Sequence, residues 1–318
     1  MKPHCLLFST MILTLLGTTT SAQAQDGDGE TGDPEIIVEG TIEVDGTVVR
    51  QQAREITQRA NSSSEPVARW QRPVCAGVYG LSLENAIAVI NRIHDVAELA
   101  GLEVDSDLEC AANLWVIIVD DPATTFAELR DENGWMVRAL QPSELAAIGR
   151  QTGPVRAWTL TSTRTRDGRP VPTGHDAVNM HLEELMRNGG VPGDGSIPWN
   201  TVYTMSRAQT AIRRDIDGSF VLVQRSAIGP LDAYALADYA AMRVLARTDP
   251  PTSEFAYSTV LAVFDDELAP QRVTPFDRAY LRSINYGSAY RPSSTGLPSL
   301  DELMEEELLR EAGQLVED

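Results

Sequence analysis

The sequence predicts an α+β fold, a single mixed domain built around a strand–helix–strand unit that a disulfide pins together. Apolar residues recur at helical spacing over residues 83–102, which indicates an amphipathic helix. Residues 113–119 (NLWVIIV) form a continuous apolar run, typical of a strand that is covered on both faces. Helices and strands follow one another without strict alternation along the chain, and this favours the α+β class.

The first half of the chain contains the unit at the centre of this prediction. Residues 47–60 are predicted to be weakly helical, and residues 74–81 to form a strand. Ser82 is expected to cap the helix that follows it, and Gly101 to end it. His94 falls opposite the apolar face of that helix, so we expect a solvated histidine.

Further elements are predicted along the rest of the chain. Short helices are expected over residues 124–131 and 142–150, and a strand over 155–163. The stretch 164–201 is rich in Gly, Pro, Asp and Arg, with a helical insert near 175–187. The remaining predictions are a helix at 206–214, a strand at 220–228, and helices at 232–247, 276–284 and 300–311. In the last helix, Leu300, Met304 and Leu308 belong to an apolar stripe, and Glu302, Glu305, Glu306 and Glu307 are expected to face water or a partner.

The beginning of the chain predicts export. Lys2 precedes a short apolar segment over residues 6–17, and Ala22 and Ala24 form a small-x-small cleavage signal. We expect residues 1–24 to be a signal peptide cut after Ala24, and the mature protein to be periplasmic or secreted, without an integral membrane span. Residues 25–66 are predicted to be an acidic, flexible segment, and residues 67–318 the globular α+β domain. Within the segment, Glu35–Gly40 resembles a TonB box and is either a partner-binding segment or a plain edge strand.

Cys75 and Cys110 are the two cysteines that remain once the predicted signal peptide, with Cys5, is removed. In an oxidising compartment two cysteines most simply pair with each other. Closing a loop of this size stabilises a protein by roughly 3–4 kcal/mol in the chain-entropy model.

Charge and composition exclude several classes of function. The chain has 46 acidic and 26 basic residues, a net charge of −20, which disfavours nucleic acid and anionic membranes as partners. Lys2 is the only lysine. Schiff-base, P-loop and Ser–Lys chemistry is therefore excluded for the mature protein. Arginines are grouped at Arg164, Arg166 and Arg169 and again at Arg213 and Arg214. Such groups either hold an anion or form surface ion pairs, and the acidic composition favours the second.

The motifs of the common catalytic sites are missing from the sequence. There is no HExxH or GxSxG pattern, and we predict no metal site and no cofactor. A Ser/His or paired-carboxylate hydrolase is left open, because its members need not be close in sequence. His175 and His181 are the candidate residues for that alternative site.

Three segments of the carboxy-terminal third carry a resemblance. They are LADYAAMR (236–243), STVLAVFDD (258–266) and TPFDRAYLR (274–282). Their order resembles an uncharacterised group of secreted proteobacterial proteins related to zincin metalloproteases, which place HExxH on the first of the three segments. In the corresponding positions this chain has Asp238, Tyr239 and Met242, so the resemblance implies a zincin-like fold with a degenerate site. The part around Cys75 and Cys110 also resembles exported alphaproteobacterial proteins of unknown role.

The sequence therefore predicts a non-catalytic envelope protein that binds another protein or a cell-wall component. Export, the missing metal ligands and the acidic last helix motivate this prediction. The alternative is an exported hydrolase that uses Asp/Glu or Ser/His chemistry.

Overall fold

The computed structural model describes residues 44–58, 65–107, 109–166, 168–171, 186, 209–252 and 255–313. Of residues 295–299 it describes only the backbone. The predicted signal peptide and the Glu35–Gly40 segment lie outside these residues.

A four-stranded mixed sheet forms the centre of the fold. Its strands are β1 (Ala76–Tyr79), β2 (Leu114–Val119), β3 (Val155–Thr165) and β4 (Ile212–Gln224), in the spatial order β1-β2-β4-β3. β1, β2 and β4 are parallel, whereas β3 is antiparallel to β4 and forms one edge of the sheet. Residue 157 pairs with residue 221, and the register shifts at Leu160/Thr161. Beyond this irregularity, β3 and β4 continue as a polar two-stranded ribbon.

Helices cover both faces of the sheet, which confirms the predicted α+β class. The helices are α1 (Gly46–Ile56), α2 (Leu83–Leu99), α3 (Pro122–Asp131), α4 (Pro142–Gly149), α5 (Ala233–Leu245), α6 (Pro275–Asn285) and α7 (Ser293–Glu311). The larger apolar core contains α2, α5 and α6 with one sheet face, where Val116 and Val221 point. The smaller core lies on the opposite face, where Trp158 and Phe220 pack against α3 and α4. Both faces of β2 are covered, so side chains on both faces can be apolar, and this explains its continuous apolar run.

The disulfide between Cys75 and Cys110 is present, as predicted. It joins the residue before β1 to the segment that enters β2. Asn113 reinforces the same place, since its side-chain amide accepts a hydrogen bond from the backbone N–H of Cys75 and donates one to the carbonyl of Pro73, both at 2.9 Å. The strand–helix–strand unit is therefore closed covalently and by hydrogen bonds at the amino ends of its two strands.

Three expectations from the sequence need correction: a domain boundary, a helix, and the exposure of a histidine. α1 buries Val49, Ala53 and Ile56 in the larger core, so the ordered body begins before the expected boundary at residue 67. The expected helix over 206–214 is wrong for its described part, because residues 212–214 already belong to β4. His94 is half-buried, and its Nε2 atom accepts a hydrogen bond from the backbone N–H of Ala76 at 3.1 Å.

The acidic last helix is less available to a partner than the sequence suggested. The predicted stripe of Leu300, Met304 and Leu308 is buried as expected. Glu307 is also buried, and it pairs with Arg282 at 2.7 Å and with Arg310. The preceding helix α6 therefore already neutralises part of the acidic face.

Among the described residues, none of the helices combines the length and the apolar character that a bilayer span requires.

Candidate binding cleft

A cleft of about 780 Å³ opens beside the edge strand β3. Its walls are formed by β3, by α4 and the turn after it, by α5, and by the segment that follows α5. The residues that line it include Glu144, Gln151, Ala157, Tyr239, Arg243, Arg247 and Asp249, and the exposed Arg150 also borders it. A volume of this size is typical of ligand-binding sites in proteins.

The backbone of β3 points into this cleft at alternate residues. Ala157 has its N–H and C=O directed away from β4, and both are bound by the side-chain amide of Gln151, at 2.9 and 2.8 Å. By the alternation of an antiparallel ladder, Val155 and Thr159 also direct their backbone groups outward. One donor and one acceptor from a single amide are what a neighbouring strand would offer, so Gln151 takes the place of a strand at this edge.

Helix α5 presents two polar side chains to the cleft, one turn apart. Arg243 Nη1 donates to the hydroxyl of Tyr239 at 2.8 Å, and Arg243 Nε donates to the carbonyl of Thr248 at 2.9 Å. Both side chains are almost fully buried, and burial raises the pKa of Tyr239. Phe264 packs edge-on against the Tyr239 ring, with 4.8 Å between the ring centroids. These contacts give the cleft a polar floor on one side of α5.

Arg247 lines the cleft two residues after the end of α5. Its φ of +54° lies in the left-handed region, where glycine is usual at a helix end. Its Nε atom is buried without a hydrogen-bond partner, and in the described part of the chain the guanidinium forms no ion pair. Burial, and next the nearby charge of Arg214, lower the pKa of Arg247 to about 10. The nearby Asp249 does not pair with Arg247. It lies 3.6 Å from the guanidinium of Arg243 and accepts a hydrogen bond from the side chain of Gln58.

The three candidates for a degenerate site do not converge. Asp238 is fully buried on the side of α2, where Arg92 binds both its oxygens at 2.5 and 2.9 Å and the N–H of Val273 adds a third hydrogen bond. Met242 is buried in the larger core. Of the three, Tyr239 alone lines the cleft.

The two residues of α5 that face the cleft one turn apart are Tyr239 and Arg243. Each follows directly after one of the expected ligand positions, Asp238 and Met242. Two ligands at this spacing on one helix face are what a zinc helix needs. Arginine keeps its positive charge and has no lone pair to offer a metal. The described residues contain no group of three or more His, Cys, Asp or Glu side chains that could hold a metal ion.

Comparison with family models, curated proteins and solved structures finds no match.

The other candidates from the sequence lie elsewhere. His175 and His181 fall outside the described residues. Of the arginine groups, Arg164 and Arg213 both pair with Asp215, at 3.3 and 2.8 Å, and Arg214 pairs with Glu65 at 3.1 Å. These arginines form ion pairs, which is the interpretation that the composition favoured.

Gln151, Arg243 and Arg247 are not among the candidate residues predicted from the sequence. One local signal was present for Arg243, namely a tyrosine and an arginine four residues apart within an apolar helix. Gln151 has no such signal, because nothing in its local sequence distinguishes it from a surface glutamine. Arg247 has none either, because its side chain makes no hydrogen bond within the described part of the chain.

Proposed function

We propose that this protein is an exported, non-catalytic binding module that holds an extended segment of an envelope protein in the cleft beside β3. The bound segment adds to the sheet as a further strand. The observation that carries the proposal is the outer edge of β3, which opens into the cleft and is capped at Ala157 by one side-chain amide. The degenerate zincin-like relationship inferred from the sequence is part of this proposal.

An extended peptide suits this cleft for a simple reason. A sheet edge presents backbone donors and acceptors at regular spacing, and an incoming strand pairs with them whatever its side chains are. The two hydrogen bonds of Gln151 are replaced one for one by those of the ligand, so the backbone N–H and C=O of Ala157 stay paired. Alternate ligand side chains then face α4 on one side, and Tyr239 and Arg243 on the other.

The residues of α5 support a binding role rather than hydrolysis. A metal-assisted hydrolase needs ligands and a general base on the cleft-facing side of this helix. This chain has a phenol and a guanidinium there, locked to each other by a hydrogen bond. Position 240, which follows Tyr239, is an alanine and has no side chain that could act as a base.

A display experiment tests the proposal. The mature protein is used to select linear 12-residue peptides from a random library, and the enriched peptides are measured on three variants. Ala157→Pro removes the backbone donor at the centre of the edge, and we expect binding to weaken at least about tenfold, because the ligand carbonyl that accepts from this N–H is left buried without a donor. Gln151→Ala removes the competing amide, and we expect roughly fivefold tighter binding.

Thr163→Pro is the matched control. Thr163 also points its backbone outward, since its carbonyl accepts from the N–H of Val171, but it lies outside the cleft. Proline is tolerated at outward positions of an edge strand, so both proline variants are expected to fold, which circular dichroism checks. The proposal is overturned if no peptide is enriched, or if Ala157→Pro and Thr163→Pro bind the enriched peptides equally well.

The export part has its own test. Amino-terminal sequencing of the protein recovered from a periplasmic extract is expected to begin at Gln25, because the small-x-small signal ends at Ala24. Recovery of a chain that still begins at Met1 from the cytoplasmic fraction would contradict export.

A further inference from the structure

We propose that Arg247 is an anion-binding group of the cleft, and that the peptide bound beside β3 presents a carboxylate to it. This inference deepens the proposed function by naming the ligand chemistry, and it rests on that function.

The first argument is the unused hydrogen-bonding capacity of Arg247. Other buried arginines with an unpartnered Nε use their remaining nitrogens. Arg69 donates to the carbonyls of Tyr286 and Gly287, and Arg156 donates to those of Gly153 and Val155. Within the described part of the chain, Arg247 makes no side-chain hydrogen bond. A guanidinium has five N–H donors in a planar fork, so this one retains the geometry that binds a carboxylate with two parallel hydrogen bonds.

The second argument is the backbone of Arg247. An L-residue in the left-handed region is strained, and a helix end usually places glycine or asparagine there. The one other described non-glycine residue with a positive φ is Asn133, a residue type that tolerates it. Glycine would adopt this backbone conformation without steric strain, so the turn itself does not require an arginine. Strain of this kind persists where the side chain has a task.

The third argument is electrostatic. The charges of Glu144 and Asp249 raise the pKa of Arg247, but among the described residues neither forms an ion pair with it: Glu144 accepts from the N–H of Gln141 in the cap of α4, and Asp249 accepts from Gln58. Arg214 adds a second positive charge nearby, which contributes to the lowered pKa of Arg247. The net effect of burial and of these charges is a lowered pKa of Arg247, so an anion from outside stabilises its charged form. The chain as a whole has a net charge of −20 and repels anions, so Arg247 marks a local site to which an acidic group is attracted.

The test uses one peptide selected on the wild-type protein, synthesised in four forms. These have a free or an amidated carboxyl terminus, and either their acidic side chains or the corresponding amides. We expect one carboxylate to matter, with affinity falling roughly 10- to 100-fold on its removal, as for a charge-assisted hydrogen bond. If amidation of the carboxyl terminus causes the loss, Arg247 binds the terminal carboxylate. If amidation of the side chains causes it, Arg247 binds an internal Asp or Glu.

Arg247→Gln is expected to cause the same loss for the acidic peptide and none for its neutral form. Arg150→Gln is the matched control, because Arg150 loses the same charge at the exposed rim of the same cleft, and we expect less than about a threefold effect. Equal effects of the two variants would show general charge attraction and overturn the assignment. So would tight binding of the acidic peptide to Arg247→Gln.

The melting temperature of the protein without ligand shows whether Arg247 has a structural role. Since Arg247 has no partner to lose, the melting temperature of Arg247→Gln is expected to stay within about 2 °C of the wild type. A marked decrease would indicate a structural arginine and overturn the inference. If peptides bind through the β3 edge but ignore Arg247, this inference fails alone. If no peptide binds, the proposed function fails.

Discussion

An ion pair between the partly exposed Arg92 of α2 and the buried Asp238 of α5 connects the two main helices of the larger core. Asp238 is fully buried and accepts three hydrogen bonds, two of them from the guanidinium of Arg92. Replacing Arg92 by methionine keeps much of the aliphatic volume but leaves a buried carboxylate with the N–H of Val273 as its one remaining donor. Removing one partner of a buried pair costs about 3–5 kcal/mol, most of it from the uncompensated charge.

We therefore expect Arg92→Met to lower the free energy of unfolding by about 3–5 kcal/mol, measured by urea denaturation at pH 7. The double variant Arg92→Met, Asp238→Leu removes both charges, and we expect it to recover most of that loss, since apolar replacements of buried pairs are often neutral. Arg92→Lys is expected to fall between wild type and Arg92→Met, because an ammonium cannot bind both oxygens in the same planar geometry.

The reasoning would be refuted by a loss below about 1 kcal/mol in Arg92→Met, the level of an exposed pair. It would also be refuted if the double variant were as unstable as the single one. In that case packing between α2 and α5, and not the charge, would be what Arg92 supplies.

Three further predictions concern stability. Replacing Cys75 and Cys110 by serine is expected to lower the free energy of unfolding by about 4 kcal/mol, because the bond closes a loop with a sequence separation of 35, and denaturation with and without reductant checks this. Burial lowers the pKa of His94, so its contribution is present above the usual value near 6.5 and is lost as the pH falls below it; His94→Gln should flatten that part of the stability profile. Gly80→Ala is expected to destabilise more than Gly101→Ala in the same assay, since both have a positive φ but only at Gly80 would a new Cβ lie 2.7 Å from the carbonyl oxygen of Ile118.

The parts of the fold that periodicity controls could be predicted from the sequence. α2 has an apolar face at helical spacing and a serine cap, and its observed start at Leu83 is the predicted one. The two cysteines could be paired because they are the two that remain after the expected cleavage. The start of β4, residues 212–214, was predicted to be helical because Arg213 and Arg214 lie on the polar ribbon, where no apolar alternation marks a strand.

The candidate site could not be predicted in the same way, because its partners meet only in three dimensions. Gln151 meets β3 across a tight turn, and nothing in its local sequence distinguishes it from a surface glutamine. The resemblance led to Asp238 and Met242, but which helix face lines the cleft depends on how α5 packs on the sheet, and that places Tyr239 and Arg243 there. His94 was expected in water because its helix position says nothing about the neighbouring strand β1.

The side-chain amide of Gln151 has a consequence for the behaviour of the protein at high concentration. An uncovered sheet edge is a template on which a second molecule can pair, and this is how many soluble proteins begin to aggregate. With Ala157 satisfied internally and the walls of the cleft on either side, two copies cannot readily align their β3 strands. The group that a ligand has to displace therefore also protects the empty protein from pairing with itself.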